Sequence, residues 1–186
     1  MNYRAALRQL IRKRLPLFWI AAIVGLIAPW LTMHSPLPPG AGTPPRDGAA
    51  CTVVKVYDGD TITAHCPGGE TVKVRYHCID TPEMQQGDWG RESRDQLRAL
   101  LPLHSAVEII RHEVDRYGRV VGEVISAEGI NTNLEQVRRG AAAVYRRYCS
   151  DGAYSAAEAT AKREKIGIWR EEGLHQTPWL WRRQKK

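Results

Sequence analysis

CTVVKVYDGDTITAHCPGGETVKVRYH, residues 51–77, is the stretch whose reading decides the fold. Its β-branched runs are broken by two turn signals, Asp58-Gly59 and Pro67–Glu70. Asp-Gly between two such runs marks a β-hairpin, because both residues tolerate the backbone angles that a tight turn needs. Three strands follow: CTVVKVY, TITAHC and TVKVRYH. In the third, Val72, Val74 and Tyr76 fall on one face, and Thr71, Lys73, Arg75 and His77 on the other, as the two-residue period of a half-buried strand requires.

Read as a two-residue turn, Asp58-Gly59 pairs Tyr57 with Asp60 and, counting outward, Cys51 with Cys66. The chain has four cysteines, Cys51, Cys66, Cys78 and Cys149. They allow three pairings. A Cys51–Cys66 bridge leaves Cys78 to Cys149, with buried free thiols as the competing reading.

Beyond residue 77 the pattern continues in short units. WGRESRDQLRALL (89–101) reads as a helix with Leu97, Leu100 and Leu101 inward. SAVEIIR (105–111) and RVVGEVIS (119–126) read as two strands around Asp115–Gly118. NTNLEQVRR makes a short helix that Gly140 ends, and YSAAEATAKREKI another before Gly167. Five strands in small hairpins, with a helix after the third, suit an α+β fold: a five-stranded OB-type barrel with about three helices.

Asp60, Asp80 and Glu83 stand at two polar corners of this framework. Counting from the Pro67–Glu70 turn sets Asp60 opposite His77, with Asp80 just past the end of the third strand. Arg75 lies on the polar face of that strand, and the tight turn DRYGR (115–119) can aim Tyr117 and Arg119 at the same end of the barrel. Each residue has an ordinary reading as a turn, a helix cap or an exposed strand position. Together they are hard oxygen donors beside two guanidiniums, a set that suits Ca²⁺, or Mg²⁺, and a phosphodiester. Glu83 is placed to orient or deprotonate a water. Tyr117, Tyr145 and Tyr148 are candidates for stacking on bases.

The ends of the 186-residue chain differ from its middle. Arg4, Arg8, Arg12, Lys13 and Arg14 lie in a basic segment, 1–14, before Leu15–Met33, an apolar run of 19 residues without a charge. That run is long enough to span a bilayer. The positive-inside rule leaves the N-terminus in the cytoplasm and the domain outside, at the inner membrane. A cleaved signal peptide and secretion is the alternative. Residues 34–50 are rich in Pro and Gly and read as a linker. The folded domain is expected over 51–170, with a basic tail, 171–186, read as a solvated end ahead of a strand-binding or membrane-surface segment. The formal charge of +7 sits at the ends: residues 41–180 hold 18 Lys/Arg against all 20 Asp/Glu. Net charge therefore makes no case for nucleic acid, and any such case rests on placed arginines.

VYDGDTI, VRYHCIDTPE, DRYGRVVGEV, VRRGAAAVYRRY and GIW, in this order between Thr52 and Trp169, resemble the staphylococcal nuclease family. The resemblance implies an OB-fold barrel with helices and a Ca²⁺-dependent phosphodiesterase acting on DNA and RNA; the chain is expected to act as a monomer. It implies Asp60, Asp80 and the Thr81 carbonyl as Ca²⁺ ligands, and Glu83 as general base or water-orienting group. Arg75 and Arg119 would bind the phosphate, and Tyr117 and Tyr148 would lie near the nucleotide. The expected outcome is cleavage of the 5′ P–O bond, leaving 3′-phosphate ends. Cys78 stands where the family often has glycine. The competing function is an OB-fold module that binds single strands or oligosaccharides without chemistry.

Overall fold

The structure, a computed structural model, describes residues 50–185. Seven strands and four α-helices lie among them, with short 3-10 turns between. Strands β1 (Cys51–Val56), β2 (Thr61–His65), β3 (Thr71–Tyr76), β5 (Ala106–Val114) and β6 (Val120–Ser126) close a barrel in the order β1-β2-β3-β6-β5. All neighbours are antiparallel except β3 and β6, which run parallel. Strands β4 (Ile79–Asp80) and β7 (Ala143–Val144) form a separate two-stranded ladder. The helices are α1 (Asp88–Leu100), α2 (Thr132–Arg138), α3 (Gly152–Glu164) and α4 (Pro178–Gln184).

The alternation of β3 decides which side is core. Val72, Val74 and Tyr76 are buried in the barrel with Val53, Ile62 and Val124, while Thr71 and Lys73 face out. Leu97 of α1 and Leu101, just past its end, are buried in the same core. Asn131 caps α2, its side chain accepting from the Asn133 and Leu134 amides.

Two registers differ from the expectation by one residue. The Tyr57 amide donates to the Thr61 carbonyl, so the first turn spans three residues, Asp58–Asp60, and Val56 faces Ile62. An irregularity between Val53 and Lys55 then absorbs one residue. Pairing is thereby restored at Thr52–His65, beside the Cys51–Cys66 bond. The second turn is tighter than four residues: the Cys66 amide donates to the Glu70 carbonyl. Asp60 therefore faces Tyr76, whose amide bonds the Asp60 carbonyl, and not His77.

The other disulfide joins Cys78 to Cys149. Cys78 has φ 70°, in the left-handed region that favours glycine. Residues 174–184, expected within a solvated tail, fold as a 3-10 turn and α4. Apolar contacts hold them down: Trp89 stacks on His175 at 3.9 Å, Pro178 is buried, and Trp179 stacks on Tyr145 at 5.3 Å. Among the described residues no helix is long and apolar enough to cross a membrane. The expected basic segment 1–14, the apolar run 15–33 and the linker up to residue 49 lie outside those residues.

Candidate active site

The first corner is held by a glycine. A Cβ on Gly59 would lie 1.9 Å from Ser93 Oγ and 2.9 Å from Thr81 Cγ2, so the turn can seat against α1 only without a side chain. Gln136 Nε2 of α2 donates to the Gly59 and Ser93 carbonyls, fastening the turn from beneath. This seat delivers Asp60 to the second corner, at the end of β4.

Asp60 is buried. Its Oδ1 accepts from Thr61 Oγ1 at 3.0 Å, and its Oδ2 from the Thr81 amide at 3.0 Å and Thr81 Oγ1 at 2.8 Å. Asp80 has no exposed surface. One guanidinium bridges the two acids: Arg75 Nη1 lies 3.2 Å from Asp60 Oδ2, and Nη2 donates to Asp80 Oδ1 at 2.9 Å. Nη1 also donates to the Tyr76 and Ile79 carbonyls, which fixes the arginine against the end of its own strand. Burial pushes the Asp80 carboxyl up despite this guanidinium. Asp58 adds a third acid, accepting from the Asp60 amide. Burial, together with the Asp60 charge, pushes Asp58 up to about 7.

A second guanidinium reaches these acids from the far end of the chain. Arg182 of α4 donates through Nη2 to Asp80 Oδ2 at 2.7 Å and through Nη1 to Glu83 Oε1 at 2.7 Å and Asp80 Oδ1 at 3.2 Å. Sequence reasoning missed this residue, although Thr177-Pro178 ahead of WLWRRQ is the same kind of helix-start signal as Thr81-Pro82.

Arg119 faces the cleft from the β5–β6 turn, and Asp115 holds its Nε at 2.8 Å and Nη2 at 2.7 Å. Burial would raise the Asp115 carboxyl, but the Arg119 and Tyr117 donors outweigh it and keep it low. Tyr117 is 68% exposed, with the Arg116 and Arg119 guanidiniums 4.8 and 5.6 Å from its ring. Tyr148 is also exposed and meets Tyr145 edge-on at 5.0 Å.

A single cleft of about 770 Å³ is lined by Asp60, Arg75, Asp80, Thr81, Glu83 and Arg119, with Tyr117 and Tyr148 at its sides. All the residues singled out for chemistry, Tyr145 among them, thus share one wall system, joined by Asp58, Arg147 and Arg182. Chemically it is a buried acidic floor rimmed by guanidiniums and phenols, which fits a phosphate ester whose negative charge must be held while a water is activated.

Residues 73–171 match the family described as Staphylococcal nuclease homologue, a range that takes in Arg75, Asp80, Thr81, Glu83 and Arg119 and stops short of Asp60. An uncharacterized endonuclease of Escherichia coli is 38% identical over 133 residues, 72% of this chain and 84% of its own. An uncharacterized endonuclease of Haemophilus influenzae is 37% identical over 141 residues, 76% of this chain and 77% of its own. The micrococcal nuclease of Shigella flexneri is 35% identical over 144 residues, 72% of this chain and 80% of its own. With the closed five-stranded barrel, these matches along most of both chains show that the chain belongs to the staphylococcal nuclease homologue family.

Proposed function

We propose that the protein is a nuclease: a phosphodiesterase that hydrolyses DNA or RNA with a divalent cation, Ca²⁺ before Mg²⁺, and leaves 3′-phosphate ends. The observation that carries this reading is the shared cleft, in which two buried carboxylates, a third at the rim and two arginines converge in a member of this family.

The donor set fits a hard cation. Asp60 and Asp80 are joined through one guanidinium, and the Thr81 backbone already bonds Asp60. Among the described residues no three His, Cys, Asp or Glu side chains form a ready metal cage. The cation would therefore be held by Asp60, Asp80, the Thr81 carbonyl and water, a mixture of oxygen donors that Ca²⁺ accepts. When bound it would stabilise charge on the phosphoryl oxygens.

The chain's own groups supply the rest. Arg119 and Arg75 hold the negative charge that grows on the phosphoryl oxygens in the transition state. Glu83 orients a water and accepts its proton as the water oxygen bonds phosphorus. The bond from phosphorus to the 5′ oxygen breaks, and that oxygen leaves with a proton from solvent. Tyr117 and Tyr148 offer faces for the neighbouring sugar and base. The reading extends to location. Two disulfides suit an oxidising compartment. The apolar run 15–33 suits an anchor with the domain outside the cytoplasm, or a secretion signal.

The test is hydrolysis of single-stranded DNA by the purified full-length protein with Ca²⁺, with Mg²⁺ and with chelator. Glu83→Ala and Arg119→Ala are run beside it. Cleavage that needs Ca²⁺, leaves 3′-phosphates and drops by about 100-fold or more in either variant is expected. A folded, disulfide-intact protein that binds the strand and never cuts it would instead be a binding module.

A further inference from the structure

A second cleft, about 790 Å³, lies on the other side of the β7 exit. Tyr145 and Arg147 line both clefts, so the two flank one short segment. That segment is tied down twice: the Tyr145 amide donates to the Cys78 carbonyl, and Cys149 is bonded to Cys78. The far walls of the second cleft are α3, the turn Gly167–Trp169 and α4.

Its chemistry is basic and aromatic. Glu158 is the one buried acid, and both Arg146 and Lys162 bond it at 2.8 Å, so this trio alone leaves a positive charge. Glu171 and Glu172 also line the cleft and are exposed. Lys165 and Arg183 are exposed in the cleft and make no ion pair among the described residues. Two indoles face the same space: Trp179, stacked on Tyr145, and Trp169, with Lys162 Nζ 4.3 Å from its ring. Trp169 Nε1 is buried and has no hydrogen-bond partner. Adjacent residues of α4 serve the two clefts, Arg182 the first and Arg183 the second.

We infer that the second cleft binds single-stranded nucleic acid beyond the scissile phosphate, an inference that rests on the nuclease reading. The strand leaves the catalytic cleft over Tyr145 and Arg147. Its phosphates then meet Arg183 and Lys165, and its bases stack by Trp169 and Trp179. Alternation of cations with flat apolar faces is what an unpaired strand needs, since each base exposes a π-face only when it is out of a duplex. The substrate class is accordingly an unpaired strand of several nucleotides, DNA or RNA.

The test uses the full-length protein and the double variant Lys165→Asn/Arg183→Glu. Both sites are exposed, and Asn tolerates the left-handed backbone of Lys165, φ 53°. Binding of a fluorescent oligothymidylate of about twenty nucleotides is followed by anisotropy in chelator across a salt series. The variant is expected to bind it about tenfold more weakly and to lose about 1.4 from the slope of log K against log salt, the share of two phosphate contacts on a single strand. Hydrolysis of a nitrophenyl ester of thymidine 5′-phosphate, which fills only the first cleft, is expected to be unchanged. Equal affinity and slope in parent and variant would overturn the inference. So would equal binding of a duplex of the same length. A variant that loses anionic-vesicle binding while keeping the oligonucleotide would reassign the cleft to a membrane surface. If the parent cuts neither substrate, the nuclease reading fails, while the anisotropy result still decides what the cleft binds.

Discussion

Asp58, Asp60 and Asp80 show how one corner comes to be short of positive charge. Asp60 has Thr61, Thr81 and Arg75 around it, and Asp80 has two guanidiniums, whereas Asp58 bonds one backbone amide beside the Asp60 charge. With its carboxyl pushed up to about 7, above the ordinary aspartate value, ionising Asp58 opposes folding. The penalty is absent below about pH 4, grows up to about pH 7 and is complete above it. Asp58→Asn keeps an oxygen for the Asp60 amide, so in chelator it should raise the melting temperature at about pH 8 and give no gain at about pH 4. Equal gains at both pH values would contradict this. Cys78 carries a different load, a positive φ on a residue with a Cβ. With the bridge removed by Cys149→Ser, Cys78→Gly should be more stable than Cys78→Ala by about 1 kcal/mol in urea unfolding. Equal midpoints would remove the conformational argument. Asp60, Asp80, Glu83 and Arg119 were legible in the sequence because each stands at a turn or helix-start signal, and Arg75 because it falls on the polar face of an alternating strand; Arg182 was not. The pressure on Asp58 was not, because it comes from burial and from a neighbour's charge.

At the scale of elements, α4 changes the site most. Its arginine takes both oxygens of Asp80 and one of Glu83, the groups proposed to hold the cation and orient the water. A guanidinium and a divalent cation compete for Asp80, so Arg182→Ala should tighten Ca²⁺ binding in calorimetry by about fivefold, the worth of a half-exposed ion pair near 1 kcal/mol. In chelator the same variant should melt lower, because Asp80 then keeps only Arg75. Unchanged Ca²⁺ affinity would mean that the helix and the metal do not share these oxygens. The sequence carried the start signal for α4 but not its docking partners, Tyr145 and Trp89, which lie 34 and 86 residues from Trp179 and His175 respectively. The first hairpin teaches the complementary lesson. A three-residue turn and an irregularity one strand-length away offset each other, so Cys51 still meets Cys66 although Tyr57 does not pair with Asp60.

Over the whole molecule, the two disulfides close loops with separations of 15 and 71 residues. The chain-entropy relation gives about 3 and 4.4 kcal/mol for them, comparable to the ~5–15 kcal/mol total stability of a domain this size. Reduction and alkylation should therefore leave a chain with no cooperative melting transition or a much lower one, read by near-ultraviolet circular dichroism. An unshifted transition would show that the barrel core suffices without them. Charge is also a matter of place: the surplus of the chain sits at its ends, and Arg183 from the C-terminal end meets Lys165, just past α3, in the second cleft. What the sequence by itself determined was local: alternation made the strands, Asp-Gly and Pro-Gly-Gly made the corners, and the motifs from VYDGDTI to GIW marked the family. These signals rest on neighbours a few residues apart, so they survive without a fold. Only the tertiary structure decided that Asp60 faces Tyr76, that Arg182 reaches Asp80 across 102 residues, and that a second basic cleft shares Tyr145 and Arg147 with the first. Register by one residue, the docking of a short aromatic helix and the desolvation of a carboxylate are set by packing between distant segments, and no local pattern encodes them.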